Sequence, residues 1–253
     1  MSAHYDDPSF SYPHYWQHRS YEHEAEVIAL ETLLNRHHFS VIADIGGGYG
    51  RLVPTLLQYS SQVYLIEPSA KQRSIATRFF ASDPKVQVFP GTAEKTGLPP
   101  SSVDLVTLIR VAHHLPNLNS SLLEAARIVR PGGFLILEFA NSANFKARFS
   151  SFISGRSLPL APIDMRSPKS IRAKSIPFVN HSPQVVLKQL LAHGFQAQTT
   201  LSVSNLRLPW FKKVIPLPIL LILESILQPL LSRLWFGPSI FIMATRLDTP
   251  AIL

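Results

Sequence analysis

The sequence predicts an α/β fold built on a mostly parallel sheet, and three observations carry that expectation. Short apolar, β-branched runs recur between Val41 and Leu137, separated by segments with helical patterning. The first run passes directly into Asp44-Ile-Gly-Gly-Gly-Tyr-Gly50, a turn lying where open α/β sheets bind ligands. Strand and helix then alternate, which argues for right-handed crossovers and strands buried on both faces.

Each element has its own justification. Val41 to Ile45 reads as a first, doubly buried strand with Asp44 near its carboxyl end. Gly46, Gly47, Gly48 and Gly50 leave the backbone open to close approach by a ligand before a helix starts near Arg51. Gln62 to Ile66 is a second strand ending at Glu67-Pro68, roughly twenty residues past the turn, where an acceptor for two ribose hydroxyls belongs. Ser69 caps the next helix, Lys71 to Ser82, which Asp83-Pro84 ends. Val86 to Phe89 is a third strand, leading into Gly91-Thr-Ala-Glu94. Val103 to Ile109 is a fourth, with Arg110 to Pro116 as its loop. Asn119 to Val129 is a helix, Arg130-Pro-Gly-Gly133 a sharp turn, and Phe134 to Leu137 a fifth strand.

The glycines do not fit the nicotinamide or flavin fingerprint Gly-x-Gly-x-x-Gly. Counted from Gly46 the third glycine falls on Arg51, and counted from Gly48 it falls on Val53. An acidic residue two positions before the glycines suits instead a cofactor with a cationic sulfonium and an amino acid tail. Further motifs follow in order: Glu67, Gly91-Thr-Ala-Glu94 with Leu98-Pro99, Ser102-Val-Asp-Leu-Val106, His113-His-Leu115 and Ala126-Arg-Ile-Val-Arg-Pro-Gly-Gly133. Together with the glycine turn they resemble the class I S-adenosylmethionine-dependent methyltransferases, specifically the broad type 11 group that includes quinone-biosynthesis enzymes. The resemblance covers about Val41 to Phe139. It implies a Rossmann-like seven-stranded sheet, mostly parallel with a final antiparallel strand and flanked by helices, interrupted after strand five and between strands six and seven. It also implies S-adenosyl-L-methionine as cofactor, held by Asp44, the four glycines, Glu67, Pro68, Thr92, Ala93, Glu94 and Arg110. Many relatives carry Asp before the Ala of the third-strand motif to meet the adenine amino group. This chain has Thr92 there, which shifts adenine recognition to backbone groups near Ala93 and to the Thr92 or Glu94 side chains.

Such chemistry needs few catalytic side chains. A sulfonium methyl is already electrophilic, and holding an acceptor atom in line with it is worth about 7–11 kcal/mol. A base is needed only where the acceptor must lose a proton. His113 and His114, just beyond the fourth strand, are candidates for that base or for positioning the acceptor; the alternative is that they shape the loop and cap backbone groups. Asp44 either contacts ligand or fixes the glycine turn through backbone amides. Arg110 is placed to hold the methionine carboxylate or an anionic acceptor, or to make a plain salt bridge, while Glu138 reads as a structural or entrance residue.

The 253 residues suffice for a single domain of this kind with insertions, and there is no internal repeat. With no cysteine, disulfides and thiolate metal sites are excluded. Met1 to Asp7 lacks a basic segment followed by an apolar core, so no secretory signal is read and a cytoplasmic setting is expected. His14 and His18 share helical spacing without a carboxylate cluster, and no metal site is expected. Residues 1–38 read as an N-terminal helical cover, its helix running from Tyr15-Trp16 to Leu34 with Ala25, Ile28, Ala29 and Leu33 on one side. That segment either brings Tyr15, Trp16, Arg19 or Tyr21 to the cofactor or simply packs on the sheet.

Two insertions distinguish the chain. Residues 141–180 carry Lys146, Arg148, Arg156, Arg166, Lys169, Arg172 and Lys174 against Asp164 alone, which is six of the net charge of +8. Leaving from the carboxyl edge of the sheet, they read as a basic lid or rim that attracts a phospholipid surface, an anionic acceptor or nucleic acid, or as an ordinary solvated lid. After a helix from Ser182 to His193, a sixth strand runs from Gly194-Phe195 toward Val203 and a seventh from Ser239 to Arg246. Between them residues 208–236 are strongly apolar, with Glu224, Gln228 and Ser232 spaced four apart as a narrow polar stripe. Pro216, Pro218, Pro229 and Glu224 argue against a transmembrane span, as does the need to return to the same sheet. An element lying in the membrane interface fits better, with Trp210, Trp235 and Phe236 at the headgroup boundary and Lys212, Lys213 and Arg233 toward anionic lipid. A hydrophobic cap over a deep pocket and a dimer contact are the alternatives, and no feature sets an oligomeric state.

The expected activity is methyl transfer from S-adenosylmethionine to a hydrophobic small molecule or lipid, at or near the inner membrane face. Two other readings stay open: a methyltransferase for a soluble metabolite or for RNA, nucleic acid being the less expected partner, and a non-catalytic S-adenosylmethionine-binding assembly subunit.

Overall fold

The computed structural model describes residues 5–7, 11–173 and 175–248, so Lys174 of the basic insertion lies outside the described residues. The opening helix is two helices, α1 (Tyr12–Gln17) and α2 (Ser20–Leu34). The Ser11 hydroxyl accepts the His14 amide and caps α1, and the break at His18 and Arg19 separates it from α2. The face that α2 buries is Tyr21, Glu22, Ala25, Glu26, Ala29, Leu30, Leu33 and Leu34; Ile28 stays half-buried.

Strand β1 (Phe39–Ile45) runs into the glycine turn, and the helix expected near Arg51 is a single turn, α3 (Val53–Leu56). Next come β2 (Ser60–Glu67) and α4 (Ala70–Phe79), capped as expected by Ser69, whose hydroxyl accepts the Gln72 amide at 3.1 Å. Helix α4 stops before Asp83-Pro84. Then follow β3 (Val86–Pro90), β4 (Val103–Leu108), α5 (Asn119–Ile128) and β5 (Val129–Ala140). The expected turn at Arg130-Pro-Gly-Gly133 is instead the opening of β5. A register shift against β4 between Val103 and Leu105, with Gly132 at φ +72°, absorbs the irregularity without ending the strand.

The first insertion folds as α6 (Phe145–Ser154), β6 (Ile163–Asp164), α7 (Pro168–Arg172) and β7 (Val179–Asn180), the two strands forming a small antiparallel pair. Helix α6 is capped by the Asn144 side chain and closed by left-handed Gly155. Helix α8 (Pro183–Ala192) leads to β8 (Phe195–Val203), then α9 (Pro209–Val214), α10 (Leu217–Ser232) and β9 (Ser239–Arg246).

The expected seven-stranded sheet is present, in the order β3-β2-β1-β4-β5-β9-β8. The β1–β2, β1–β4, β2–β3 and β4–β5 pairs are parallel, and β9 is antiparallel to both β5 and β8. Both faces are covered. Leu122 and Ala125 of α5 and Val186 and Leu190 of α8 pack with Ala43 and Val106 on one side. Ala29, Leu30 and Leu34 of α2 pack with Ile42, Leu105 and Phe241 on the other.

Helix α10, packed on α2 and β8, is inverted relative to an ordinary surface helix. Its polar stripe faces inward, with Glu224, Gln228 and Ser232 at 0, 1 and 9% exposure. The Glu224 carboxylate accepts from the Tyr21 hydroxyl at 2.7 Å and from the Asn205 amide and side-chain nitrogen at 3.1 Å each. Gln228 donates to the Ala25 carbonyl at 2.8 Å. These bonds are what make burial of a carboxylate and an amide tolerable. The apolar flank faces outward: Ile219, Ile222, Ile226 and Leu230 are 50 to 66% exposed. A hydrophobic cap over a deep pocket is therefore ruled out for α10. No helix among the described residues is long and apolar enough to cross a membrane.

Candidate functional site

The site lies at the carboxyl edge of the sheet, where β1, β2 and β4 end side by side. Gly46, Gly48 and Gly50 take φ of +71°, +59° and +86°, which folds the chain back tightly after β1. A Cβ on Gly46 would stand 2.4 Å from the Val111 side chain, so the turn closes against the loop after β4 only without one. Close approach recurs at Gly91, where a Cβ would meet Ile66 at 2.6 Å. That contact sets Thr92, Ala93 and Glu94 beside the end of β2. Thr92 and Lys95 exchange backbone hydrogen bonds across this loop, with Ala93 buried and Glu94 exposed at its tip.

Two buried carboxylates face the turn. Asp44 accepts the Thr107 hydroxyl on one oxygen at 2.7 Å, and its other oxygen is buried with no hydrogen-bond partner among the described residues. Burial pushes its pKa up to about 6, against the Thr107 bond and the Arg51 charge. The Glu67 oxygens accept the Gly48 and Ser69 amides at 3.0 and 2.8 Å, one on each, which leaves each oxygen a further lone pair. Burial pushes Glu67 up to about 7, opposed by those two amides. The Pro68 carbonyl accepts from Arg73 at 2.8 Å, as does the Glu67 carbonyl. An orphaned acidic oxygen beside a glycine turn and a second carboxylate with acceptor capacity to spare fit an adenosyl group and its cationic sulfonium.

The N-terminal residues come to the same place. Asp6 accepts from the Ser69 hydroxyl at 2.6 Å and the Lys71 amide at 3.1 Å, at the start of α4. The Tyr12 ring lies against Gly48. Trp16 is buried with the Arg51 guanidinium 3.7 Å from its ring centre. Tyr15 is exposed and packs under Arg19.

Glu26 holds this wall together. Its two oxygens pair with Arg51 and Arg110, each at 2.5 Å, and Glu26 is fully buried. Arg110, expected near a ligand carboxylate, spends its guanidinium on Glu26. Its backbone sits at φ +62°, held there by its amide donating to Glu138 at 2.9 Å, while Glu138 also accepts from Ser239 at 2.6 Å. Glu138 thus ties β5, β9 and the β4 loop together. Glu26→Ala should cost about 3–5 kcal/mol of stability, because two partly buried guanidinium groups lose their counter-charge. Urea denaturation of the variant measures it, and a loss under 1 kcal/mol would remove Glu26 from this role.

The two histidines are not equivalent. Both are buried in a single 3₁₀ turn after β4. His114 Nδ1 lies 2.8 Å from the Pro177 carbonyl, which only accepts, so Nδ1 carries the proton. Its Nε2 then accepts from the Tyr5 hydroxyl at 2.8 Å. His113 makes ring contacts with His114 at 4.0 Å and Phe178 at 5.1 Å and has no side-chain hydrogen bond among the described residues. Burial first, and then His114, Arg110 and His181, hold its pKa well below the usual value. His113 is therefore a neutral imidazole at the cleft.

Sequence reasoning missed Glu26, Thr107, Tyr5, Tyr12 and His181, whose Nε2 donates to the Ala112 carbonyl at 3.0 Å. Thr107 had a signal, a lone hydroxyl in the otherwise apolar end of a strand buried at every position. Glu26 had one too, an acid next to Ala25 on the apolar side of a helix.

Residues 43–137, which hold the glycine turn and the two buried acids, match the family model of the methyltransferase domain. Family and fold imply S-adenosyl-L-methionine as the cofactor. Among curated proteins, the chain is 29% identical over 119 residues to the ubiquinone/menaquinone biosynthesis C-methyltransferase UbiE of Rubrivivax gelatinosus, covering 47% of each. It is 30% identical over 105 residues to an uncharacterized methyltransferase of Geobacillus kaustophilus, covering 41% of this chain and 47% of that one. The matches thus span about half the length of these curated relatives. The fold is shared with an S-adenosylmethionine-dependent methyltransferase of Thermotoga maritima, at 20% identity and TM-score 0.59 over 93% of this chain and 94% of that one.

Proposed function

We propose that the chain transfers a methyl group from S-adenosylmethionine to a hydrophobic small molecule or lipid at a membrane surface. The observation that carries this reading is the inverted helix α10, whose apolar flank is turned to solvent while its polar stripe is hydrogen-bonded inward. Helix α6 adds Phe149, Phe152 and Ile153, all exposed, next to Lys146 and Arg148. Exposed apolar side chains interleaved with cations suit the headgroup region of an anionic bilayer. Of the expected anchors, Trp210 is exposed, whereas Trp235 packs against the core and Phe236 stacks on Phe145. Lys213 and Arg233 are exposed, and Lys212 pairs with Glu22 at 2.8 Å. The relative named for ubiquinone and menaquinone biosynthesis supports a hydrophobic acceptor.

The bound cofactor supplies an electrophilic sulfonium methyl. Around it, Glu67 would accept hydroxyls of the ribose, the Asp44 carboxylate would offset the cationic end, and the Thr92–Glu94 loop would meet the adenine. Arg110 positions Glu26 and the cleft wall. Where the acceptor must lose a proton, His113 takes it on a ring nitrogen; His114 is committed to Pro177 and Tyr5 and holds the loop.

The test is transfer of labelled methyl from S-adenosylmethionine into solvent-extractable product, with membrane lipid extract as acceptor source. His113→Asn should lower kcat about 100-fold, within the range general bases contribute, and leave the Kd for S-adenosylhomocysteine unchanged. Cofactor binding with no extractable product would overturn the hydrophobic acceptor.

A further inference from the structure

A groove of about 300 Å³ opens between the two insertions, at the same carboxyl edge of the sheet as the cofactor cleft. It is bounded by the exit of β5 at Asn144 and Phe145, the segment after β8 from Ser204 to Leu208, and the entry to β9 at Gly237 and Pro238. Its walls are preformed. Phe145 stacks on Phe236 at 4.9 Å between ring centres, and Asn141 donates to the Trp235 and Gly237 carbonyls at 2.7 and 2.8 Å. On the other side the Leu206 amide donates to the Tyr21 hydroxyl at 2.9 Å.

The lining joins two chemistries. Phe145, Leu206, Phe211 and Phe236 give it an apolar surface, whereas Lys146 and Arg207 are exposed at its rim and make no ion pair among the described residues. The groove is lined by the start of α6 and by Phe211 of α9, helices that also carry the exposed Phe149, Phe152 and Trp210. Its volume lies at the lower end of the range for small-molecule sites, about 300–1,000 Å³, enough for one chain and too little for a two-chain lipid.

We propose that this groove binds a single-chain anionic amphiphile, its chain against Phe145, Phe211 and Phe236 and its anionic head on Lys146 and Arg207. The inference rests on the hydrophobic-acceptor reading and narrows it: the acceptor enters sideways from the docking face, chain first, and is selected by the charge of its head. An apolar slot with a cationic rim discriminates against a cationic head of the same chain length, since like charges across a partly desolvated contact are repelled.

Decyl phosphate and decyltrimethylammonium, both kept below their critical micelle concentrations, distinguish these terms by calorimetry. Wild type should bind decyl phosphate at least tenfold more tightly than the cationic analogue. The double variant Lys146→Gln with Arg207→Gln, both exposed positions, should weaken decyl phosphate at least tenfold, and Leu208→Glu at the groove wall should abolish it. Equal affinity for the two head groups, an unchanged double variant, or no binding of decyl phosphate would overturn the proposal. S-adenosylhomocysteine affinity and vesicle co-sedimentation are followed on the same preparations. If both persist while decyl phosphate fails to bind, the groove assignment alone falls. If decyl phosphate binds as expected but vesicles do not, the membrane reading falls instead.

Discussion

Replacing Ile222, Ile226 and Leu230 together with glutamine should abolish co-sedimentation with anionic vesicles and leave the folded chain intact. These side chains are more than half exposed, so folding gains little from them. Glutamine is also a good helix former, and surface substitutions change stability by about 0.5 kcal/mol or less. In a bilayer interface, by contrast, each buried side chain of this size is worth about 1.5–3 kcal/mol. Taking the lower figure for partial immersion, three together give about 4.5 kcal/mol, roughly a 1,000-fold loss of partition. Removing Lys213 and Arg233 should cost less, about 1 kcal/mol per charge, and that part should fade with added salt. Unchanged vesicle binding in the triple variant would refute the docking face. A wild type that is a dimer without lipid affinity, made monomeric by the same substitutions, would instead make α10 a contact between copies.

The second large effect is at Glu67. Hydrogen bonds to a charged group contribute about 1.5–3 kcal/mol each, so with Glu67 holding two ribose hydroxyls as proposed, Glu67→Ala should weaken S-adenosylhomocysteine binding by about 100-fold or more. The wild-type affinity should also depend on pH. Hydroxyls donate to the ionised carboxylate, so binding favours that form, and Glu67 without ligand is pushed up to about 7. Affinity should therefore rise from pH 6 to pH 8 and level off above, with a change of about tenfold across the window. Stability of the ligand-free protein takes the opposite sign. A carboxyl whose folded pKa lies above its ordinary value of 4.5 holds its proton longer in the folded state, so this group's contribution is lost as pH rises from 4.5 through 7. Calorimetry at pH 6, 7 and 8 reads the first effect, and a flat profile would argue that Glu67 does not bind the ribose.

The parallel strands β1 to β5 were legible because each contains a short apolar run, and the glycine turn marks the carboxyl edge of the sheet. Strand ends were less so. Arg130-Pro-Gly-Gly133 has every turn residue, yet pairing with β4 carries β5 through it with a register shift. The start of α1 had a readable cause in Ser11 and Pro13, a cap followed by a proline in the first turn, whereas the break before α2 falls later, at His18 and Arg19. What no local pattern could reveal was the orientation of α10. A narrow polar stripe ordinarily faces water, and here it faces inward because Tyr21, the Ala25 carbonyl and Asn205 supply its partners, two of them on a helix some 200 residues earlier in the chain. The Glu26 pairing with Arg51 and Arg110 was hidden for the same reason, since its meaning depends on three distant segments meeting.

Helix α2 bears Tyr21 and Ala25 toward α10 and, beside them, Glu26 toward the arginines of the cleft wall. At 1.5 Å per residue, Tyr21 and Glu26 stand roughly 7.5 Å apart along the axis. No loop intervenes between them, so the cleft and the outward apolar flank share one rigid beam. Were α10 to rest in a bilayer interface as proposed, the cofactor cleft would be carried at a set height above it. Such a beam would act as a ruler, and the atom to be methylated would then be chosen by its depth beneath the surface as well as by its chemistry.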